Sequence, residues 1–238
     1  MKRYSLCLLI LLIAAASPAL AARPLVTDDL GTVDKGKFEL EIGYNSTTPK
    51  TGGVTSNGLT GQIKYGIMPN FDIGIEGPHS ITEPAGVGDM ILHFKVKLFE
   101  AGDNDGITGR IDIKTCTGDS SCGLGSGYTD YVAMIIASKA FGDIRTHYNL
   151  GYTLVGLPAG EPEANTFNYS AATEKELVPG IDLVGEYYAV SSAAGTSSNL
   201  QAGGRWQCLD AFRIDIGYSL ALNDSSDNVI SAGFTAEF

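Results

Sequence analysis

The last ten residues of the chain divide into two interleaved sets. Ile230, Ala232, Phe234, Ala236 and Phe238 alternate with Val229, Ser231, Gly233, Thr235 and Glu237. An apolar residue at every second position is the pattern of a strand with one greasy and one small or polar face. The preceding segment repeats it, with Phe212, Ile214, Ile216, Tyr218, Leu220 and Leu222 set against Arg213, Asp215, Gly217, Ser219 and Ala221. So does the segment that places Phe38, Leu40, Ile42 and Tyr44 against Glu39, Glu41, Gly43 and Asn45. A helix would need apolar spacings of three and four, which these stretches lack.

Twelve such segments follow one another: 37–45, 56–66, 70–77, 89–99, 106–115, 127–140, 143–155, 165–176, 180–191, 198–208, 211–222 and 228–238. The second, sixth and eighth are weaker, and Tyr131 to Lys139 allows either set to face outward. Connections after even-numbered strands are mostly short. Those after odd-numbered strands, including Ser192 to Ser197, are mostly longer. An even strand count, alternating turn lengths and both ends at one rim predict an all-β, 12-stranded antiparallel up-and-down transmembrane β-barrel over residues 37–238, with its short turns facing the periplasm.

A soluble sandwich would also alternate, but its apolar set must interdigitate with a second sheet. Here the other set mixes glycines with charges of both signs, which suits a wet, crowded bore. In a bilayer every backbone group must pair within the sheet, so strands can span only as a closed barrel. Phe238, as the last outward residue, matches the usual close of bacterial outer-membrane barrels, where insertion machinery reads a terminal aromatic. Tyr65, Tyr148 and Trp206, with Phe71, Phe99, Phe141 and Phe212 near the short turns, are expected to form aromatic girdles. Composition excludes other classes. The 30 glycines among 238 residues have no triplet period, which rules out collagen, and 11 tyrosines and 9 phenylalanines rule out disorder. A net charge of −11 gives no attraction for nucleic acid.

Residues 1–22 read as a secretory signal peptide. Met1-Lys2-Arg3 is a positive head, Leu6 to Ala16 an apolar run too short to cross a bilayer, and Ala19-Leu20-Ala21 a cleavage pattern. Cys7 lies inside it. Residues 23–36 carry no strand pattern and are expected to lie at or inside the periplasmic mouth as a plug.

That N-terminal stretch also carries a family resemblance. Arg23-Pro24-Leu25-Val26-Thr27-Asp28-Asp29-Leu30-Gly31-Thr32-Val33-Asp34-Lys35-Gly36-Lys37-Phe38-Glu39-Leu40-Glu41 resembles the opening of the meta-pathway phenol-degradation family of bacterial outer-membrane barrels. The resemblance implies a channel or transporter in the outer membrane near the handling of hydrophobic or aromatic compounds, with no enzyme activity and no cofactor. It carries over no site residues. The partners it and the barrel imply are outer-membrane lipids and lipopolysaccharide, the insertion machinery and a small-molecule solute.

The candidate functional residues are those that line the bore. On the inward set they are Lys95, Lys97, Arg110, Lys114, Arg145, Arg205 and Arg213, with Glu39, Glu41, Asp112, Asp182, Glu186 and Asp215; Lys64, Asp72, Asp130, Glu174 and Glu237 join them. Two readings stay open. Balanced charges can neutralise one another across strands and fill the bore, or Lys95, Lys97, Arg110 and Lys114 can form a basic strip facing an acidic wall of a narrow passage. The first implies a structural or surface-interaction barrel, the second a channel.

Cys116 and Cys122 bracket five residues of an outer loop and are candidates for a loop-closing disulfide, with free thiols or separate pairing as the alternatives; Cys208 is left over. Two cysteines without further ligands make a poor zinc site. Asp103-Asn104-Asp105-Gly106 lacks the downstream glutamate of a calcium loop, and Gly123 to Gly127 lacks the helix of a phosphate cradle. Asp224 and Asp227 could hold cations that bridge lipopolysaccharide, or belong to a solvated loop. His93 and His147 point inward, away from the lipid side where barrel lipases work, so no catalytic site is expected.

Overall fold

The computed structural model describes residues 23–102 and 104–238. The expected signal peptide, with Cys7, and Asp103 of the calcium-like turn lie outside the described residues. Twelve strands make the barrel: β1 (Phe38–Pro49), β2 (Ser56–Met68), β3 (Phe71–Ser80), β4 (Ile91–Glu100), β5 (Gly106–Lys114), β6 (Asp130–Phe141), β7 (Ile144–Leu154), β8 (Thr166–Val178), β9 (Ile181–Ser192), β10 (Gly195–Leu209), β11 (Phe212–Ala221) and β12 (Asp227–Glu237). Each pairs antiparallel with its sequence neighbours, and β1 pairs with β12 from Glu39↔Glu237 to Pro49↔Asp227. The ring is therefore closed, with no edge left for lipid to meet. A two-residue strand, Gly86–Val87, folds the loop after β3 back onto His79 and Ser80.

One detail departs from the sequence expectation and another resolves an ambiguity in it. The connection expected over Ser192 to Ser197 is a tight hairpin. β9 and β10 pair as far as Ser192↔Gly195, and Gly195, at φ +133°, supplies the backbone conformation that closes the turn. The ambiguous β6 is fixed by its neighbours: Ile111↔Ala133 and Ala133↔Tyr152 place Tyr131, Ala133 and Ile135 outward, and Val132, Met134 and Ile136 inward.

The distribution of side chains is inverted relative to a soluble fold. The buried set is dominated by polar and charged residues, among them Glu39, Glu41, Asp72, His93, Lys95, Asp112, Glu174, Glu186, Arg205 and Asp215. Leu98, Ile111, Ile135, Leu150, Leu183, Leu200 and Ile216 are exposed on the outside. This is the burial of a chain whose outer solvent is hydrocarbon. Aromatics gather at the short-turn rim. The Phe38 ring lies 4.6 Å from Tyr65 and 5.8 Å from Phe238, while Phe99, Phe141 and Trp206 are exposed nearby.

Candidate functional site

Residues 23–36 do not hang below the barrel. From Phe38 the chain runs back into the bore, rises to mid-height and crosses it. Lys35 bridges to Gly66 and the Val33 amide donates to Asp72 of β3 (2.8 Å), both near the short-turn rim. Thr108 of β5 donates to the Leu30 carbonyl (2.9 Å). At mid-height Asn149 of β7 accepts from the Asp28 amide (2.6 Å) and donates to its carbonyl (2.9 Å). Glu186 of β9 accepts from the amides of Val26 (2.7 Å) and Thr27 (2.8 Å) and from the Thr27 hydroxyl (2.6 Å). Gln201 and Arg205 of β10 donate to the carbonyls of Pro24 and Arg23, and the Arg23 guanidinium reaches Asp215 of β11 at 3.3 Å.

Asp28 is the electrostatic centre of this arrangement. Its carboxylate bridges Lys95 of β4 (2.7 Å) and Arg110 of β5 (2.9 Å), with Asp29 3.6 Å from the same lysine. Burial opposes ionisation, but the lysine and the guanidinium hold the carboxyl well below the usual carboxylate range. On the other side of the bore the wall makes room. A Cβ at Gly217 would stand 3.0 Å from the Cβ of Pro24, and one at Gly203 only 2.8 Å from its Cγ. Glycines at these positions let the proline ring lie against the sheet. Leu25 packs on Val184 and Ala172, an apolar spot in a polar bore.

The candidate lining residues fall into separate groups. Glu39 and Glu41 share Lys64. Asp112 accepts from Arg110 (2.7 Å) and lies 2.8 Å from His93 Nδ1. Glu174 binds Arg205 (2.6 Å) and Arg145 (3.1 Å), and Arg145 also approaches Asp182 (3.5 Å). Arg213 donates to Gln207 (3.0 Å). Lys95, Lys97, Arg110 and Lys114 do not act as one basic strip. Lys97 pairs with Glu100 near the short-turn rim and Lys114 with Asp130 at the long-loop rim, while Lys95 and Arg110 hold Asp28. Opposite charges a few ångströms away neutralise each of them. The sequence reading missed Glu76, which faces His93 Nε2 at 3.4 Å, and the partners supplied by Arg23, Asp28 and Asp29.

A polar cavity of about 290 Å³ remains beside the segment, lined by Arg23, Asp28, Glu41, Gln62, Lys64, Glu76 and Arg110 among others. The expected disulfide is not formed, for Cys116 and Cys122 are both free and exposed. The residues between them are spent elsewhere: the Thr117 hydroxyl accepts from Met90, the Gly118 amide donates to Asp89, and Asp119 caps a single turn, Ser120–Cys122. Ser138 Oγ lies 2.8 Å from His147 Nδ1, but both are buried and Glu174 beyond the imidazole is taken by two arginines, so the row is a strut of the wall. No cluster of three or more metal-ligating side chains occurs among the described residues.

A closed ring with an apolar outer belt and a charged bore defines a transmembrane β-barrel, and its likenesses are to outer-membrane channels and porins. An outer membrane channel from Pseudomonas putida F1 superposes with a TM-score of 0.66 at 13% identity, over 88% of this chain and 98% of that one. The NanC porin gives 0.63 at 10% identity over 84% and 98%. The KdgM porin, solved in complex with disordered oligogalacturonate, gives 0.60 at 8% identity over 83% and 99%. The chain belongs to the family described as "Putative MetA-pathway of phenol degradation", whose sequence profile matches residues 21–238. No curated protein matches it in sequence. Its fold is that of an outer-membrane β-barrel.

Proposed function

We propose that the protein is an outer-membrane channel for small solutes, aromatic compounds among them, whose resting bore is closed by residues 23–36. The observation that carries this reading is the path of the segment. It crosses the bore at mid-height and binds wall residues on β3, β4, β5, β7, β9, β10 and β11. The remaining cavity of about 290 Å³ is at the lower end of pockets that hold small ligands, roughly 300–1,000 Å³, so a solute of about one ring is the size it admits. The aromatic class rests on the family's description, and the polar lining calls for a solute that also carries a hydrogen-bonding group.

Planar-bilayer recording tests the reading. Full-length protein should give small or rare current steps, and a variant lacking residues 23–33 should give steps about tenfold larger or more frequent. Equal currents would remove the plug. Silence from both would favour a structural or surface-interaction barrel, the reading that the near-complete charge pairing of the bore supports.

A further inference from the structure

The segment in the bore is held chiefly through its main chain. Within residues 23–33, wall side chains engage the carbonyls of Arg23, Pro24, Asp28 and Leu30 and the amides of Val26, Thr27, Asp28 and Val33. Buried backbone polar groups must be paired somewhere, and an irregular segment usually pairs them with itself or with water. Here Glu186, Asp72, Asn149, Gln201, Arg205 and Thr108 do so from five different strands. Main-chain contacts give affinity that tolerates sequence changes, and side-chain pockets add preference. Two such pockets exist. Val184 and Ala172 take an apolar side chain, Leu25, and Lys95 with Arg110 take a carboxylate three residues later, Asp28. The strands that present these groups are joined in a closed ring, so the groups stay in place whether or not the segment does.

We propose that the bore is a peptide-binding site, with residues 23–33 as its resident ligand. When they are displaced, it binds in trans an oligopeptide carrying an apolar residue followed three positions later by an acidic one. The inference rests on the plug reading only in that the tethered segment must leave first. Tethering gives the segment an effective concentration near millimolar, so a free peptide cannot compete with it on the native chain. Two full-length variants loosen it: Leu25→Asp/Asp28→Lys, which sets like charge against Lys95 and Arg110, and the milder Leu25→Gly/Asp28→Gly. A different mobility before and after boiling on a detergent gel establishes that each barrel is folded.

The probe is a fluorescent synthetic peptide of residues 23–33, followed by anisotropy with the variants in detergent. It should saturate on either variant. A peptide carrying Asp28→Lys should bind at least tenfold more weakly, and the original peptide should bind about five- to thirtyfold more weakly on a variant that also carries Glu186→Gln. No saturation at millimolar peptide, or equal binding by a scrambled peptide, overturns the proposal. Anisotropy does not depend on current: binding without any gain in conductance on loosening would defeat the plug reading alone, and conductance without binding would defeat this inference alone.

Discussion

The two halves of the bound segment are held by different physics. Arg23 to Thr27 lie against β9–β11 through shape and through hydrogen bonds spread over several wall groups, Glu186 accepting from Val26 and Thr27 while Gln201 and Arg205 donate to the carbonyls of Pro24 and Arg23, with Gly203 and Gly217 cleared away beneath Pro24 and Leu25 on its apolar spot. Asp28 to Val33 lie against β3–β7, where Asp28 is locked between Lys95 and Arg110. The first half, with its hydrogen bonds spread over Glu186, Gln201 and Arg205, tolerates loss of any one of them but no added volume. The second half, centred on the Asp28 ion pairs, tolerates small changes of shape but no unmatched charge, because an ion left alone in a buried site costs far more than the pair contributes. The segment is therefore most vulnerable at Asp28 on one side and at the glycines on the other.

The largest effect is expected from Asp28→Asn. Breaking a buried pair costs roughly 3–5 kcal/mol. The lower end applies, because Lys95 keeps Asp29 and Arg110 keeps Asp112. About 3 kcal/mol is a factor of ~10² in the docking equilibrium, read as a rise in open probability in planar bilayers. Gly217→Leu comes next. Overpacking costs roughly 1–3 kcal/mol, and here it should fall on Pro24 while the ring stays closed, so current rises with no change in the boiled-versus-unboiled gel shift. Glu186→Gln keeps the shape and weakens three hydrogen bonds to a carboxylate, a smaller loss of about 1–2 kcal/mol. If Gly217→Leu left docking intact while Glu186→Gln abolished it, the half from Arg23 to Thr27 would be held by hydrogen bonding and not by shape.

The smallest effect is that of pH. A folded-state value below the unfolded value of roughly 3.9 means that the Asp28 latch is fully present above about pH 4 and is lost only as pH falls through the lower value. Open probability should then be flat from pH 8 to pH 5. An opening transition inside that window would show that some other group governs docking.

The same contrast explains what was legible in the sequence. Strands such as Phe212–Ala221 and Asp227–Glu237 announce themselves because lipid on one side and charge on the other leave a strict alternation. β6 does not, since Val132, Met134 and Ile136 make its inner face as apolar as its outer one, and only pairing with β5 and β7 settles its register. The inner charges could be named from their parity, but their partners could not. Lys95 and Lys97 are two residues apart on one face, yet one holds Asp28 across the bore and the other a glutamate three residues on. The docking of residues 23–33 left no periodic trace, because an irregular chain bound through its own amides and carbonyls puts no repeating constraint on its side chains. The pairs that hold it span more than 150 residues in some cases, as with Thr27 and Glu186.

The segment lies inside the bore at mid-height, and a cysteine pair reports on that position. The Pro24 Cβ lies 3.0 Å from where a Cβ at Gly217 would stand, a few tenths of an ångström inside the roughly 3.5–4.5 Å of a disulfide, so a small shift of the segment suffices to join two cysteines there. A Pro24→Cys/Gly217→Cys chain with Cys116, Cys122 and Cys208 changed to serine should cross-link in the outer membrane without added catalyst. Nearly all of the protein should then run as a reducible, faster-migrating looped form on a denaturing gel. If both thiols instead stay free and react with a membrane-impermeant maleimide, the segment is not where the structure places it and the account fails.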